Sequence, residues 1–141
     1  MTENQMRAEK YLNQIKRTVE KIHGKQEELK ALKWKASGVG AIRYDKEKVQ
    51  TSPQNYMEMA IADALEIEAE LEEDEASIEE IKGNAYAIVR RMKEPMQRAL
   101  IEWFYLNGFP MVEVANKMNM SERNAYYLKD DSLESFGMLM E

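Results

Sequence analysis

Between Pro53 and Pro95 the chain has no proline, and apolar residues recur there every seven positions. Met57, Ala64, Leu71, Ile78, Ala85 and Met92 occupy one position of the repeat, and Ala60, Ile67, Asp74, Ile81 and Ile88 a second. Ten of these eleven are apolar; Asp74 is the exception. That spacing keeps one stripe of a helix apolar over many turns. It predicts a single long helix with a coiled-coil-like seam. Gly83 falls away from the seam and is expected to face solvent. The repeat stops at Lys93-Glu94-Pro95, because the residue before a proline disfavours helical backbone.

A partner for this helix lies upstream. From about Glu3 to Lys35 the chain is again proline-free, and Leu12, Ile15, Val19, Ile22 and Leu29 fall on one stripe. Gln26 interrupts the stripe, and Gly24 weakens the helix locally. Residues 36–55 read as a loop, with Ser37-Gly38-Val39-Gly40 at its start and Thr51-Ser52-Pro53 at its end. A loop of that length can reverse the chain, so residues 1–92 are expected to form a long antiparallel helical hairpin. Residues 93–141 form a second domain. A third helix should run from Pro95 to Leu106 and end at Asn107-Gly108. Pro110 should open a short helix to about Met118. Ser121 should cap another that runs towards Phe136, with Gly137 to Glu141 fraying. No block alternates Val, Ile and Thr as a strand would. The fold class is therefore all-α.

Several function classes find no support in the sequence. The chain has no cysteine, so disulfides, thiolate metal sites and a cysteine nucleophile are excluded. No apolar run approaches membrane-spanning length, which together with a polar N-terminus suggests a cytoplasmic protein. His23 is the only histidine and has no acid–base partner nearby in sequence. The acidic run Glu66 to Glu80 lacks the alternating ligands and the glycine of a calcium loop. A solvated helix face is its plainer reading. Neither a phosphate-cradling loop nor a serine–histidine set occurs. Enzyme activity, a metal and a cofactor are thus not expected.

The stretch Val112 to Leu128 has helix-turn-helix spacing. Ala115 is small where two helices would cross. Asn119, four residues on, tolerates the positive φ that a tight turn demands. Met120 can plug the turn, and Ser121 can accept a hydrogen bond from the next helix's first amides. Ala125 and Leu128 are spaced to face inward. That leaves Ser121, Glu122, Arg123, Asn124, Tyr126, Tyr127 and Lys129 as candidate DNA-contacting residues, since the start of such a helix enters the major groove. One of the two tyrosines could instead be core. Of the cluster Trp103-Phe104-Tyr105, Phe104 is expected to pack beneath the recognition helix. The same pattern also suits two packed helices with no ligand.

Residues 96–136 resemble region 4 of the sigma-70 family of RNA polymerase sigma factors. The resemblance rests on Tyr105-Leu106-Asn107-Gly108, Glu113-Val114-Ala115, Ser121 and the helix after it, and Ser132-Leu133-Glu134-Ser135-Phe136. The whole chain is also similar to a phage family of sigma-like late-gene regulators related to ArpU and RinA, which share the loop motif seen here as Val49-Gln50-Thr51-Ser52-Pro53. The resemblance implies a transcription regulator, an activator of phage late genes. Its partners would be double-stranded promoter DNA and host RNA polymerase, with a homodimer as a further expected assembly. One departure matters. Net charge is −6, and Ser121 to Asp131 holds two cations against three acids, so little phosphate can be neutralised there. Residues 1–35 hold nine cations and five acids, and residues 56–82 one cation and eleven acids. The alternative reading is a coiled-coil adapter whose two C-terminal helices only pack.

Overall fold

The computed structural model describes residues 1–37 and 53–140. Most of the expected loop, including Val49-Gln50-Thr51-Ser52, lies outside the described residues, as does Glu141. Among the described residues all regular structure is helical. In chain order the elements are α1 (Glu3–Ala36), α2 (Pro53–Val89), α3 (Pro95–Leu100) with its π-helical continuation (Ile101–Leu106), α4 (Met111–Lys117) and α5 (Glu122–Leu139).

Local chemistry sets the helix ends. Thr2 and Gln5 cap α1 reciprocally: the Gln5 amide donates to Thr2 Oγ1 at 3.1 Å, and the Thr2 amide to Gln5 Oε1 at 2.9 Å. Pro53 starts α2, where a missing N–H does no harm. The helix tightens after Val89, as Arg91 N bonds Ile88 O and Met92 N bonds Val89 O. Such three-residue steps release the chain ahead of Pro95. Pro110 proves to be the cap of α4 rather than its first helical residue.

The residues divide into two compact units, one of residues 1–20 and 77–141, the other of residues 21–76. In the second unit Ile22, Ala60, Ala64 and Leu71 are buried. Lys25 donates to Asp74 at 2.7 Å and lies 3.4 Å from Glu70; Lys33 lies 3.3 Å from Glu68. Partners on α2 thus fall in number as the lysines on α1 rise. Asp74, the polar exception in the repeat, has a specific partner. The Lys25 hydrogen bond holds its carboxyl below the ordinary value, against a smaller opposing push from desolvation.

In the first unit Ala8, Leu12, Ile15 and Val19 are buried, as are Ile78, Ala85, Val89 and Met92. The first position of the seven-residue pattern holds at Ala64, Leu71, Ile78, Ala85 and Met92, while the second drifts after Ala60: Ile81 is 38% exposed, and Val89, not Ile88, is fully buried. An α-helix has 3.6 residues per turn, so a strict seven-residue stripe rotates slowly and the inward face passes to later residues. The remaining core is Leu100, Ile101, Tyr105 and Leu106 with Val114, Ala115, Ala125, Leu133 and Phe136.

The last helix is longer than the sequence suggests. Gly137 does not fray; it is helical and buried. A Cβ there would lie 2.2 Å from the Asn4 carbonyl oxygen, so glycine lets α5 touch the backbone of α1. Around this crossing Gln5 Nε2 donates to Asp130 O, Arg7 donates to Gly137 O at 2.9 Å, and Tyr11 stacks on Phe136 at 6.0 Å. Arg7 thereby satisfies a carbonyl at the negative end of α5.

Candidate nucleic-acid interface

The turn between α4 and α5 is built as its residues require. Met118 ends α4, and Asn119 takes φ 55°, which among the described residues makes it the one non-glycine with positive φ. Asparagine is among the few residues that tolerate this region. The Met120 amide returns to the Ala115 carbonyl at 3.0 Å. Ser121 then adopts extended backbone, and its Oγ accepts the Asn124 amide at 3.1 Å. One orphan donor of α5 is satisfied in this way. Ala115 and Ala125 are buried where the helices approach, and Leu128 is half-buried.

Of the sequence-predicted site residues, Ser121 is exposed at the cap of α5, and Glu122, Arg123 and Asn124 are exposed in its first turn. Tyr126 is 45% exposed and Tyr127 56%, so neither belongs to the core. Lys129 is half-buried. The Arg123 guanidinium donates through Nε to the Tyr127 hydroxyl at 3.2 Å, with its carbon 5.8 Å from the ring centroid. The Lys129 ammonium stands 5.5 Å from the Tyr126 ring. Each cation is therefore held one turn or less from an exposed ring, which restricts its rotamers before any ligand arrives. Arg123 and Tyr127, four residues apart, present hydrogen-bonding groups on one face of α5.

The aromatic cluster of α3 differs from expectation. Tyr105, not Phe104, is the fully buried ring. Burial first, and the negative charges of Glu9 and Asp130 second, push its hydroxyl far above the ordinary tyrosine range. Phe104 is half-buried and faces α1: Lys16 Nζ sits 4.0 Å from its ring centroid and donates to its carbonyl at 3.1 Å. The wide π turn explains that carbonyl. Asn107 N bonds Glu102 O and Phe109 N bonds Trp103 O, while the Phe104 carbonyl receives the lysine. Phe104 meets Tyr105 edge-on at 4.8 Å.

One exposed cation beside the turn escaped the sequence reading. Lys117, the last residue of α4, lies 5.1 Å from the Phe109 ring and 5.8 Å from that of Trp103. No short-range pattern marks it, because its ring partners are brought near by the π turn. Among the described residues no cluster of His, Asp or Glu could hold a metal ion, and no helix is long and apolar enough to cross a membrane. Comparison with family models, with curated proteins and with solved structures finds no match to this chain.

Proposed function

We propose that the chain is a sequence-specific DNA-binding transcription regulator, an activator of phage late genes that works with host RNA polymerase in the bacterial cytoplasm. In this reading α4 and α5 form a sigma region 4-like helix-turn-helix. The start of α5 lies in the major groove, and α1 with α2 forms an antiparallel hairpin arm. The observation that carries it is the run Arg123, Asn124, Tyr126 and Tyr127, all exposed directly after a capped, tightly turned helix start. Guanidinium and amide groups match the paired donors and acceptors of base edges. Ser121 and the first amides of α5 suit a phosphate.

The protein would need no chemistry of its own. It would raise polymerase occupancy by adding contacts. A second reading, an adapter whose C-terminal helices only pack, is favoured by the two cations and three acids of Ser121 to Asp131. Binding to duplex DNA across a salt series decides between them. A sequence preference with affinity falling as salt rises is the expected result. Absence of binding with and without polymerase would leave the adapter reading.

A further inference from the structure

Helical geometry singles out one pair of side chains on α5. Ala125, Ser132 and Phe136 are buried on its inner side. At about 3.6 residues per turn, Arg123 and Tyr127 fall on the opposite side, and Asp130 and Glu134 continue the same face. That face opens with a cation and a phenol and turns acidic within about two turns. Phosphate is repelled from the acidic part, so a duplex meets this face at Arg123 and Tyr127.

The guanidinium is already committed there at one nitrogen. Arg123 Nε donates to the Tyr127 hydroxyl at 3.2 Å, and the guanidinium carbon lies 5.8 Å from the ring centroid. Among the described residues Arg123 has no ion-pair partner, and its Nη1 and Nη2 have no acceptor. A guanidinium is a rigid planar fork, so fixing Nε fixes the plane of the other two nitrogens. Two parallel donors call for two neighbouring acceptors. In the major groove guanine offers O6 beside N7. Adenine sets a donor beside N7, cytosine offers a donor, and thymine sets one oxygen beside a methyl group.

We infer that Tyr127 is a positioning residue for Arg123, and that the Nη1–Nη2 edge of the guanidinium reads a guanine in the major groove. The inference rests on the DNA-binding reading; it adds the base and the residue that orients its reader. The hydroxyl accepts from Nε and the ring lies alongside, so a long side chain loses less rotamer freedom when DNA arrives. That advantage reaches only the base pair that Arg123 touches. Removing the hydroxyl therefore weakens the preference at one position and leaves phosphate contacts as they are.

The test is selection of the full chain against a randomised duplex DNA library at low salt, where weak binding is strongest, followed by salt titrations on the selected duplex. The parent chain, Arg123→Ala and Tyr127→Phe are compared. Both side chains are exposed, and circular dichroism checks that helicity is retained. One selected position should be guanine, and Arg123→Ala should lose that preference. Tyr127→Phe, which keeps the ring, should reduce it by about three- to tenfold, with the other positions and the salt slope unchanged. Equal weakening of every duplex by Arg123→Ala would mark a phosphate contact. A guanine preference that survives Tyr127→Phe intact would remove Tyr127 from positioning, and an effect at a different base pair would make the phenol itself the reader. Each of these three results overturns the inference while DNA binding stands. A library that yields no enriched sequence overturns the DNA-binding reading, and this inference with it.

Discussion

Gly137 and Gly83 are both helical glycines, and their surroundings give them opposite roles. At Gly83 nothing lies within 4 Å of an added Cβ, whereas at Gly137 the Asn4 carbonyl occupies the space. Gly83→Ala should therefore stabilise the fold by about 0.5–1 kcal/mol, the usual helix-interior gain. Gly137→Ala should destabilise it by about 1–3 kcal/mol through forced separation of α5 from α1. Denaturant midpoints measure both, and equal shifts would show that the crossing relaxes freely. Arg123 makes a second residue-scale prediction. Its pairing with Tyr127 points the guanidinium along the exposed face. Arg123→Ala should relax preference at one or two base pairs, at about 1–3 kcal/mol. Competition binding with single-base variants reads this out, and uniform weakening across all sequences would mark a phosphate contact instead. Both Asn119 and Ser121 were legible from local chemistry, because a positive φ and a cap each demand a short list of residues. The role of Gly137 was not. In sequence a glycine near a helix end signals termination, and only the approach of residue 4 gives it another meaning.

At the scale of the element, the repeat of α2 mixes positions of very different weight. Leu71 is buried, whereas Ile81 is 38% exposed. Leu71→Asp should cost about 3 kcal/mol or more by placing a charge among apolar neighbours, while Ile81→Asp should cost under about 1 kcal/mol. Thermal melts of both variants check the contrast. The ion pair beside Leu71 gives a pH dependence. Asp74 has its carboxyl lowered from 3.8 by Lys25, so its contribution is present above that value and disappears as pH falls through the folded value. The Lys25 ammonium is raised from 10.5, so its contribution is present below that value and is lost only as pH rises beyond it. Between these limits the pair adds a flat increment. Asp74→Asn should remove the acid-side loss attributable to this residue, seen as a shallower fall in melting temperature below pH 4. An unchanged acid limb would assign the loss to other carboxylates. Leu12, Ile15, Val19, Leu71 and Ile78 were readable as a buried stripe. The π turn at Ile101–Leu106 was not, because it arises where Lys16 meets the Phe104 carbonyl, 88 residues away in sequence.

For the whole molecule, charge limits what the proposed DNA face can do alone. Two cations against three acids between Ser121 and Asp131 neutralise few phosphates, so specific binding by the isolated chain should be weak with a shallow salt slope. Host polymerase should strengthen it by holding the chain near its site. Footprinting on a late promoter at physiological salt, with and without polymerase, tests this. Nanomolar specific binding without polymerase would point to a self-sufficient regulator. The pairing of α1 with α5 has a different consequence, one of timing. Leu12, Ile15 and Val19 are made early, but Phe136 and Gly137, which complete their unit, follow more than a hundred residues later. At ordinary synthesis speeds the first helix waits on the order of ten seconds for them. During that wait the apolar surface that α5 will cover stands open to water, an exposure the finished chain does not share.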